Sequence, residues 1–261
     1  MALDSDIKPG TVITGFDIQV PLNDETCERH IAASLACELP EAVPARPLVV
    51  VANGPSARDV DLTALHGRKT LALNGAIMLF VEQGLAPDYW ACCDPQEVVA
   101  SLLPDNPPIN TIYYVASKCH PAVFDKLKGR HVRVWHLMDH PVPGRQRVSL
   151  CSSVTLSASW LMIRRGFTDF EYYGWDGCFI DGRDHAANGN PDLEPTLYLN
   201  YGGVIKDGEV IGGRTFATSR TWAAEAHGVE QFYQLTKYLG IGVTIHGDGM
   251  FRCAYDAATH Y

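Results

Sequence analysis

The sequence predicts an α/β protein: one doubly wound, mainly parallel, Rossmann-like sheet that carries a β-hairpin insertion. Three observations predict it. From Pro47 onward, short apolar runs alternate with helix-patterned segments of about 10–15 residues, which is the signature of βαβ units. The first run, Leu48–Val51, is apolar without a break and reads as a buried strand. Past residue 195 the pattern changes to apolar β-type runs on either side of Lys206-Asp207-Gly208, a hairpin signal.

The elements follow in order. Residues 1–46 read as a Pro-punctuated N-terminal arm with a short helix within 24–39, and residues 47–261 as the domain itself. A strand at 48–53 precedes a second at 70–76, a helix over 76–85 that stops at Gly84, and a third strand at 88–94. Next come a helical segment at 95–103, a strand at 111–117, a short helix at 121–129 and a strand at 131–138. Residues 152–167 have the length and apolar face of a central helix, and 169–177 follow as another buried strand. The hairpin insertion falls near 196–216. The longest helix covers 219–240, opened by Ser219 as its N-cap, and the last strand lies in 242–249. No internal repeat or low-complexity tract interrupts this order.

Composition narrows the function classes. The 261 residues fit one large α/β unit, and 46% hydrophobic with 20% charged residues supports a sizeable core. No apolar run approaches a bilayer span, and "MALDSDIKPG" lacks a signal-peptide pattern, so the expected location is the cytoplasm with no membrane partner. A formal net charge of −9 argues against coating nucleic acid through the whole surface. Arg130, Arg133, Arg145, Arg147, Arg164 and Arg165 do gather in the middle third; a solvated face is the plainer reading of them, a local basic patch the sharper one. Eight cysteines without a CxxC pair read as free thiols, several of them in apolar strands.

Small and polar residues collect where the strands end, and in an open parallel sheet ligands bind outside the carboxyl ends. The first strand ends in Asn53-Gly54-Pro55-Ser56, the second in Asn74-Gly75, the third in Asp94-Pro95, and a later one in Gly174-Trp175-Asp176-Gly177. Gly54 and Gly75 let backbone come close to a ligand; Asn53 and Ser56 offer hydrogen bonds. Ordinary turns use the same residues, but four ends of one sheet point to a shared pocket for a phosphate-bearing ligand. Neither a Walker loop nor the dinucleotide Gly-x-Gly-x-x-Gly is present. Ser152 and Ser153 precede the central helix, where one caps it and both can face a phosphate or ribose. The loop "WDGCFIDGRDHAANG" packs Asp176, Asp181, Asp184 and His185, a histidine suited to general base with a carboxylate to orient it. Asp248 is a weaker strand-end candidate. His136 and His140 have ligand-like spacing, but Pro141 and the strand context argue against a metal pair, and no metal ligands are assigned.

Three blocks, "VVVANGPSARDVD", "LALNGAIMLFVEQGLAPDYWACCDP" and "SSVTLSASWLMIRRGFTDFEYYGWDGCFIDGRDHA", resemble the MptE-like family, named for an archaeal 6-hydroxymethylpterin diphosphokinase. The same blocks look like Campylobacter-type sialyltransferases and motility-accessory-factor flagellin glycosyltransferases. The resemblance spans roughly residues 48–186. In the sialyltransferase branch it implies a CMP-sugar held by Asn53, Gly54, Ser56, Asn74, Ser152 and Ser153, with His185 as base. In the diphosphokinase branch it implies Mg²⁺ on ATP held by aspartates after the second and third strands. Here the second strand ends in Asn74-Gly75 and the third offers only Asp94, which weakens that branch.

The leading expectation is therefore a transferase that moves a sugar from a nucleotide-sugar donor, CMP-linked or another NMP- or NDP-sugar, to an acceptor hydroxyl. Asp176 and His185 are its catalytic candidates, and Tyr172, Tyr173, Tyr198 and Tyr201 are candidate donors to the leaving phosphate. The acceptor is a glycan, a protein or a modified nucleobase. The resembled family also occurs on phage genomes, which would make DNA the acceptor and the central arginines its groove. The alternatives are an Mg²⁺- and ATP-dependent diphosphokinase acting on a hydroxymethyl group, and a non-catalytic nucleotide-binding module.

Overall fold

The computed structural model describes Thr26, Arg29, His30 and residues 46–137, 147–148, 153–187, 189, 193–206 and 209–260. In chain order the first strands are β1 (Arg46–Val51), β2 (Thr70–Leu73), β3 (Tyr89–Cys92), β4 (Ile112–Ala116), β5 (His131–Leu137), β6 (Arg147–Val148) and β7 (Phe167–Tyr173). They are followed by β8 (Leu197–Tyr201), β9 (Val204–Lys206), β10 (Glu209–Ile211), β11 (Arg214–Thr218) and β12 (Gly242–Ile245). The helices are α1 (Ala76–Glu82), α2 (Pro121–Lys126), α3 (Val154–Arg164), α4 (Arg220–Leu239) and α5 (Met250–Ala257).

Eight strands form one sheet in the order β12-β7-β1-β2-β3-β4-β5-β6, and every neighbouring pair is parallel. The chain steps outward from β1 to β6, then returns to the other side of β1 for β7. That single reversal puts the switch point of the sheet between the carboxyl ends of β1 and β7, where an open α/β sheet leaves a crevice. The unbroken apolar run predicted as a strand is the buried centre of β1, Leu48–Val51. Trp90, Tyr113, Tyr114 and Trp135 fill the core around its neighbours.

The longest helix, α4, buries Ala223, Ala226, Val229, Phe232 and Thr236 along one stripe. Ser219 caps it as predicted, its hydroxyl accepting from the Trp222 N–H at 3.2 Å, and Gly240 ends it at φ 67°. The predicted hairpin is a ribbon: β8 pairs antiparallel with β11 and β9 with β10, reaching Thr218 rather than 216. The segment predicted as a helix at 95–103 is instead a 3-10 helix over Glu97–Leu102; it is short, lacks a side-chain cap and holds the adjacent β-branched Val98 and Val99. Short 3-10 helices at Pro55–Asp59 and Leu62–Leu65, the two-residue β6, and α5 were not anticipated.

Of the N-terminal arm, Thr26, Arg29 and His30 are helical; the other residues before Arg46, like Ser152, His140 and Arg145, lie outside the described residues. His30 is buried, with its Nδ1 3.0 Å from the Lys118 carbonyl and its ring edge-on to His120. Cys92, Cys119, Cys178 and Cys253 are free thiols, and the Cys92 and Cys119 sulfurs lie 3.4 Å apart in the core. Among the described residues no helix is long and apolar enough to cross a membrane.

Candidate functional site

A cleft of about 870 Å³ opens over the carboxyl edge of the sheet, walled on one side by α4. Its floor draws on the ends of β1 (Asn53, Gly54), β2 (Asn74), β3 (Asp94), β4 (Lys118) and β7 (Gly174, Asp176). The first turn of α3 and the loop bearing Asp184 and His185 complete it. Strand ends far apart in sequence thus do share one crevice.

At the switch point the chain is stitched to itself. The Ser56 N–H donates to Asp176 Oδ2 at 2.8 Å and the Ser56 hydroxyl donates to Oδ1 at 2.7 Å. The Gly54 N–H donates to the Gly174 carbonyl at 2.7 Å. This approach requires glycine: a Cβ on Gly54 would sit 2.4 Å from that carbonyl oxygen and 2.6 Å from Asp176 Oδ2. Burial raises the Asp176 carboxyl above its usual range, opposed by the two Ser56 bonds. Asp176 lines the cleft, but both of its oxygens are engaged in joining β1 to β7. Pro55 is buried at the start of its 3-10 helix, and neither it nor Ser56 lines the cleft.

Asn53 secures the loop that follows β7. Its Nδ2 donates to the Ala187 carbonyl at 2.9 Å, its Oδ1 accepts from the Ala187 N–H at 3.1 Å, and its own carbonyl accepts from the Ala186 N–H at 2.8 Å. Gly75 lies beneath this clamp, where a Cβ would come within 2.8 Å of Asn53 Nδ2. The loop so held presents a dyad: His185 Nδ1 lies 2.8 Å from Oδ2 of the buried Asp184. A carboxylate can only accept, so Nδ1 carries the proton and Nε2 keeps its lone pair. The half-exposed His185 ring lies 6.0 Å from that of Trp222 on α4.

Asn74 adopts φ 46°, donates its N–H to the Ala91 carbonyl, and has a buried Oδ1 that meets no hydrogen-bond partner among the described residues. Asp94 Oδ1 accepts from the Gln96 N–H at 2.9 Å; burial raises its carboxyl, opposed first by that bond and then by the Lys118 charge. Ser153 caps α3, its Oγ accepting from the Leu156 N–H at 3.3 Å, and the next two residues, Val154 and Thr155, line the cleft with first-turn amides that have no partner within the helix.

Two charged cleft residues, Lys118 and Glu225, escaped the sequence reading. Lys118 is a buried cation directly after β4, and the strand-end rule applied to "VASKC" would have found it. Glu225 is 4% exposed on the buried stripe of α4 and accepts at Oε1 from the Trp175 indole N–H at 3.1 Å. Burial pushes its carboxyl up to about 7, opposed by the nearby Ser153 hydroxyl and the Trp175 indole. Its signal was an acid four and seven residues before Val229 and Phe232.

Other candidates lie elsewhere. Asp248 is exposed, 3.8 Å from Arg214. None of the four tyrosines lines the cleft: the Tyr172 hydroxyl bonds Ser159, the Tyr173 hydroxyl donates to Glu171, Tyr198 faces solvent, and Tyr201 packs edge-on to Phe216. Arg130 is tied to the Pro107 carbonyl and Asn106, and Arg165 is buried over the Tyr114 ring, so these two do not share a surface patch. His136 bonds the Ser117 hydroxyl at 2.9 Å, and burial lowers its pKa. Among the described residues no group of His, Cys, Asp and Glu is gathered as a metal cluster.

No family model matches the sequence, and no curated protein matches it significantly. Among solved structures the fold is similar to that of the MAf glycosyltransferase from Magnetospirillum magneticum AMB-1, with a TM-score of 0.56 and 14% sequence identity. The similarity covers 87% of this chain and 38% of that one, so the chain spans well under half of that protein's length. At this identity the likeness is one of fold.

Proposed function

We propose that the chain is a glycosyltransferase that takes a CMP-linked or other NMP- or NDP-linked sugar and passes the sugar to an acceptor hydroxyl. The observation that carries this reading is the meeting, in one switch-point cleft, of a floor suited to a phosphoryl anion and a histidine oriented by a buried carboxylate. The likeness of fold to a MAf glycosyltransferase supports the same reading.

In this mechanism His185 Nε2 takes the proton of the acceptor hydroxyl, and Asp184 stabilises the imidazolium that results. The acceptor oxygen bonds to the anomeric carbon as the bond from that carbon to the nucleotide phosphate breaks, and the electron pair leaves on the phosphate oxygen. The Lys118 ammonium and the Val154 and Thr155 amides stabilise that charge, in place of the tyrosines considered from sequence. Asn74 offers its free Oδ1 to a donor hydroxyl or amine. Asp176 holds the cleft mouth, and Asn53 holds the loop of the base. Glycan, protein and modified nucleobase, including phage DNA, are the acceptor classes to supply.

The test is release of nucleotide from CMP-, UDP- and GDP-sugars in the presence of those acceptors, with and without EDTA. Turnover that survives EDTA and falls by about 10²–10⁴-fold in His185→Ala is the expected result. Mg²⁺-dependent conversion of ATP to AMP would install the diphosphokinase instead, and tight nucleotide binding without turnover of any donor would leave a binding module.

A further inference from the structure

The first turn of α4 puts an aromatic face beside the dyad that the proposed transfer does not use. Among the described residues, three tryptophans line the cleft. Trp175 is buried and gives its indole N–H to Glu225, and Trp160 packs edge-on against Phe232. Trp222 is different. It is half-buried, its ring centroid lies 6.0 Å from that of His185, and its indole N–H makes no hydrogen bond among the described residues. The ring is held where it stands: the Trp222 backbone N–H is fixed to the Ser219 cap, and Phe179 packs edge-on with 5.4 Å between centroids. Phe179 is tied in turn through its own N–H to the Ala217 carbonyl of β11 at 2.8 Å. An indole already so fixed loses little further freedom when a ligand covers it. Next to it the exposed Thr221 lines the same cleft, with a hydroxyl that also lacks a partner among the described residues.

We infer that Trp222 is the platform on which the acceptor rests, and that the acceptor is an uncharged pyranose; this rests on the glycosyltransferase reading above. One face of a pyranose carries C–H bonds and is apolar, while its rim carries hydroxyls. An indole matches both, with an apolar face and one donor at its edge. With the sugar ring on that face, one rim hydroxyl meets His185 Nε2, and the indole N–H and the Thr221 hydroxyl bind its neighbours. The bond changes are those of the transfer itself. The proton of that hydroxyl passes to Nε2, its oxygen bonds to the anomeric carbon of the donor, and the electron pair of the broken bond leaves on the nucleotide phosphate. Charge selects against a nucleic acid. Among the described residues, Lys118 is the one lysine or arginine lining the cleft, against the acids Asp94, Asp176, Asp184 and Glu225, and the leaving phosphate engages it. A nucleic acid would bring further phosphates that need cations of their own. A serine on a peptide offers a single methylene and leaves most of the indole face uncovered.

The acceptor probes are the methyl glycosides of glucopyranose, galactopyranose and mannopyranose, set against a serine-containing peptide and an oligonucleotide bearing a hydroxymethylated base. Nucleotide release from CMP-, UDP- and GDP-sugars is followed with each, and the product is weighed by mass spectrometry. A methyl pyranoside is expected to accelerate release and to gain the donor sugar. Trp222→Ala is expected to raise the KM for that pyranoside by about tenfold or more, while the donor KM moves by less than about twofold. Trp222→Phe keeps an apolar face and loses the N–H, so a rise of about threefold is expected. An acceptor KM left at the wild-type value in both variants, or a rise in the donor KM in its place, overturns the inference. Should Trp222→Ala fail to fold, Trp222→Phe and the wild-type acceptor panel decide by the same criteria. Turnover of no donor with any acceptor overturns the glycosyltransferase reading and this inference with it, whereas turnover that no pyranoside accelerates overturns only this one.

Discussion

The cleft has two unlike sides. The β1–β7 floor is backbone packed against backbone, with glycine wherever a side chain would collide and with Ser56 and Asp176 satisfying one another. The α4 wall is ordinary helix packing in which one position of the apolar stripe holds a carboxyl in place of hydrocarbon. Both sides bury an acid, and for opposite ends. Asp176 is needed as an acceptor, because without it the Ser56 N–H loses its partner. Glu225 contributes most when it is neutral. Burial alone therefore does not define the role of a carboxyl; the donors around it do.

The largest effect that would break this contrast lies on the floor. Gly54→Ala adds a Cβ against a carbonyl oxygen and a buried carboxylate, neither at the end of a flexible chain. It is expected to cost about 3 kcal/mol, read as a lowered denaturant midpoint at unchanged slope. A midpoint within experimental error of wild type would mean that the β1–β7 contact is looser than described.

The two sides also differed in how plainly the sequence announced them. Asn53-Gly54-Pro55-Ser56 and Gly174-Trp175-Asp176-Gly177 interrupt apolar runs, so their place at strand ends was readable from local pattern. What they bind was not, because the Ser56–Asp176 pair joins positions 120 residues apart, and local pattern carries no information on such contacts. They were read as groups offered to a ligand; the structure shows Asn53, Ser56 and Asp176 bonded within the chain. Glu225 was overlooked for the reverse reason: in "WAAEAHGVEQF" its acid looks like one more charge on a long helix until the stripe through Val229 and Phe232 is traced back to it. The short helix α5 follows a run of Gly and Asp that reads as a chain end, and its helical pattern covers only eight residues.

A paired experiment sharpens the comparison at intermediate size. Asp176→Ala strips the Ser56 N–H of its acceptor and is expected to cost about 2 kcal/mol at neutral pH. Glu225→Gln is expected to do the opposite. The folded-state pKa of Glu225, about 7, lies above its unfolded value, so the wild type loses stability as pH rises from about 4.5 through about 7. The glutamine variant avoids that loss and should exceed wild type by about 2 kcal/mol near pH 8, with little difference near pH 4. Thermal unfolding at both pH values checks it, and an equal gap at the two would remove the distinction between a needed charge and an opposed one.

The smallest effect concerns a third carboxylate, on the same strand as the floor. Glu171 and Tyr173 alternate along β7 with the buried Phe170 and Tyr172 and so lie on the other face of the sheet. Glu171 accepts from Arg68, from the Tyr173 hydroxyl at 2.7 Å and from His246 Nε2 at 2.9 Å, while the Tyr173 ring stacks on His246 with centroids 4.2 Å apart. The Arg68 bond is the main reason its carboxyl falls to about 2. A depressed carboxylate gives stability that is fully present above about pH 4.5 and is lost as pH falls toward about 2, the reverse of Glu225. Because solvent reaches both partners, the contribution is about 1 kcal/mol. Glu171→Gln should therefore fall below wild type by that amount at neutral pH and converge with it by about pH 2. A gap that stays constant through the acid range would mean that packing against Tyr173, and not charge, is what Glu171 contributes.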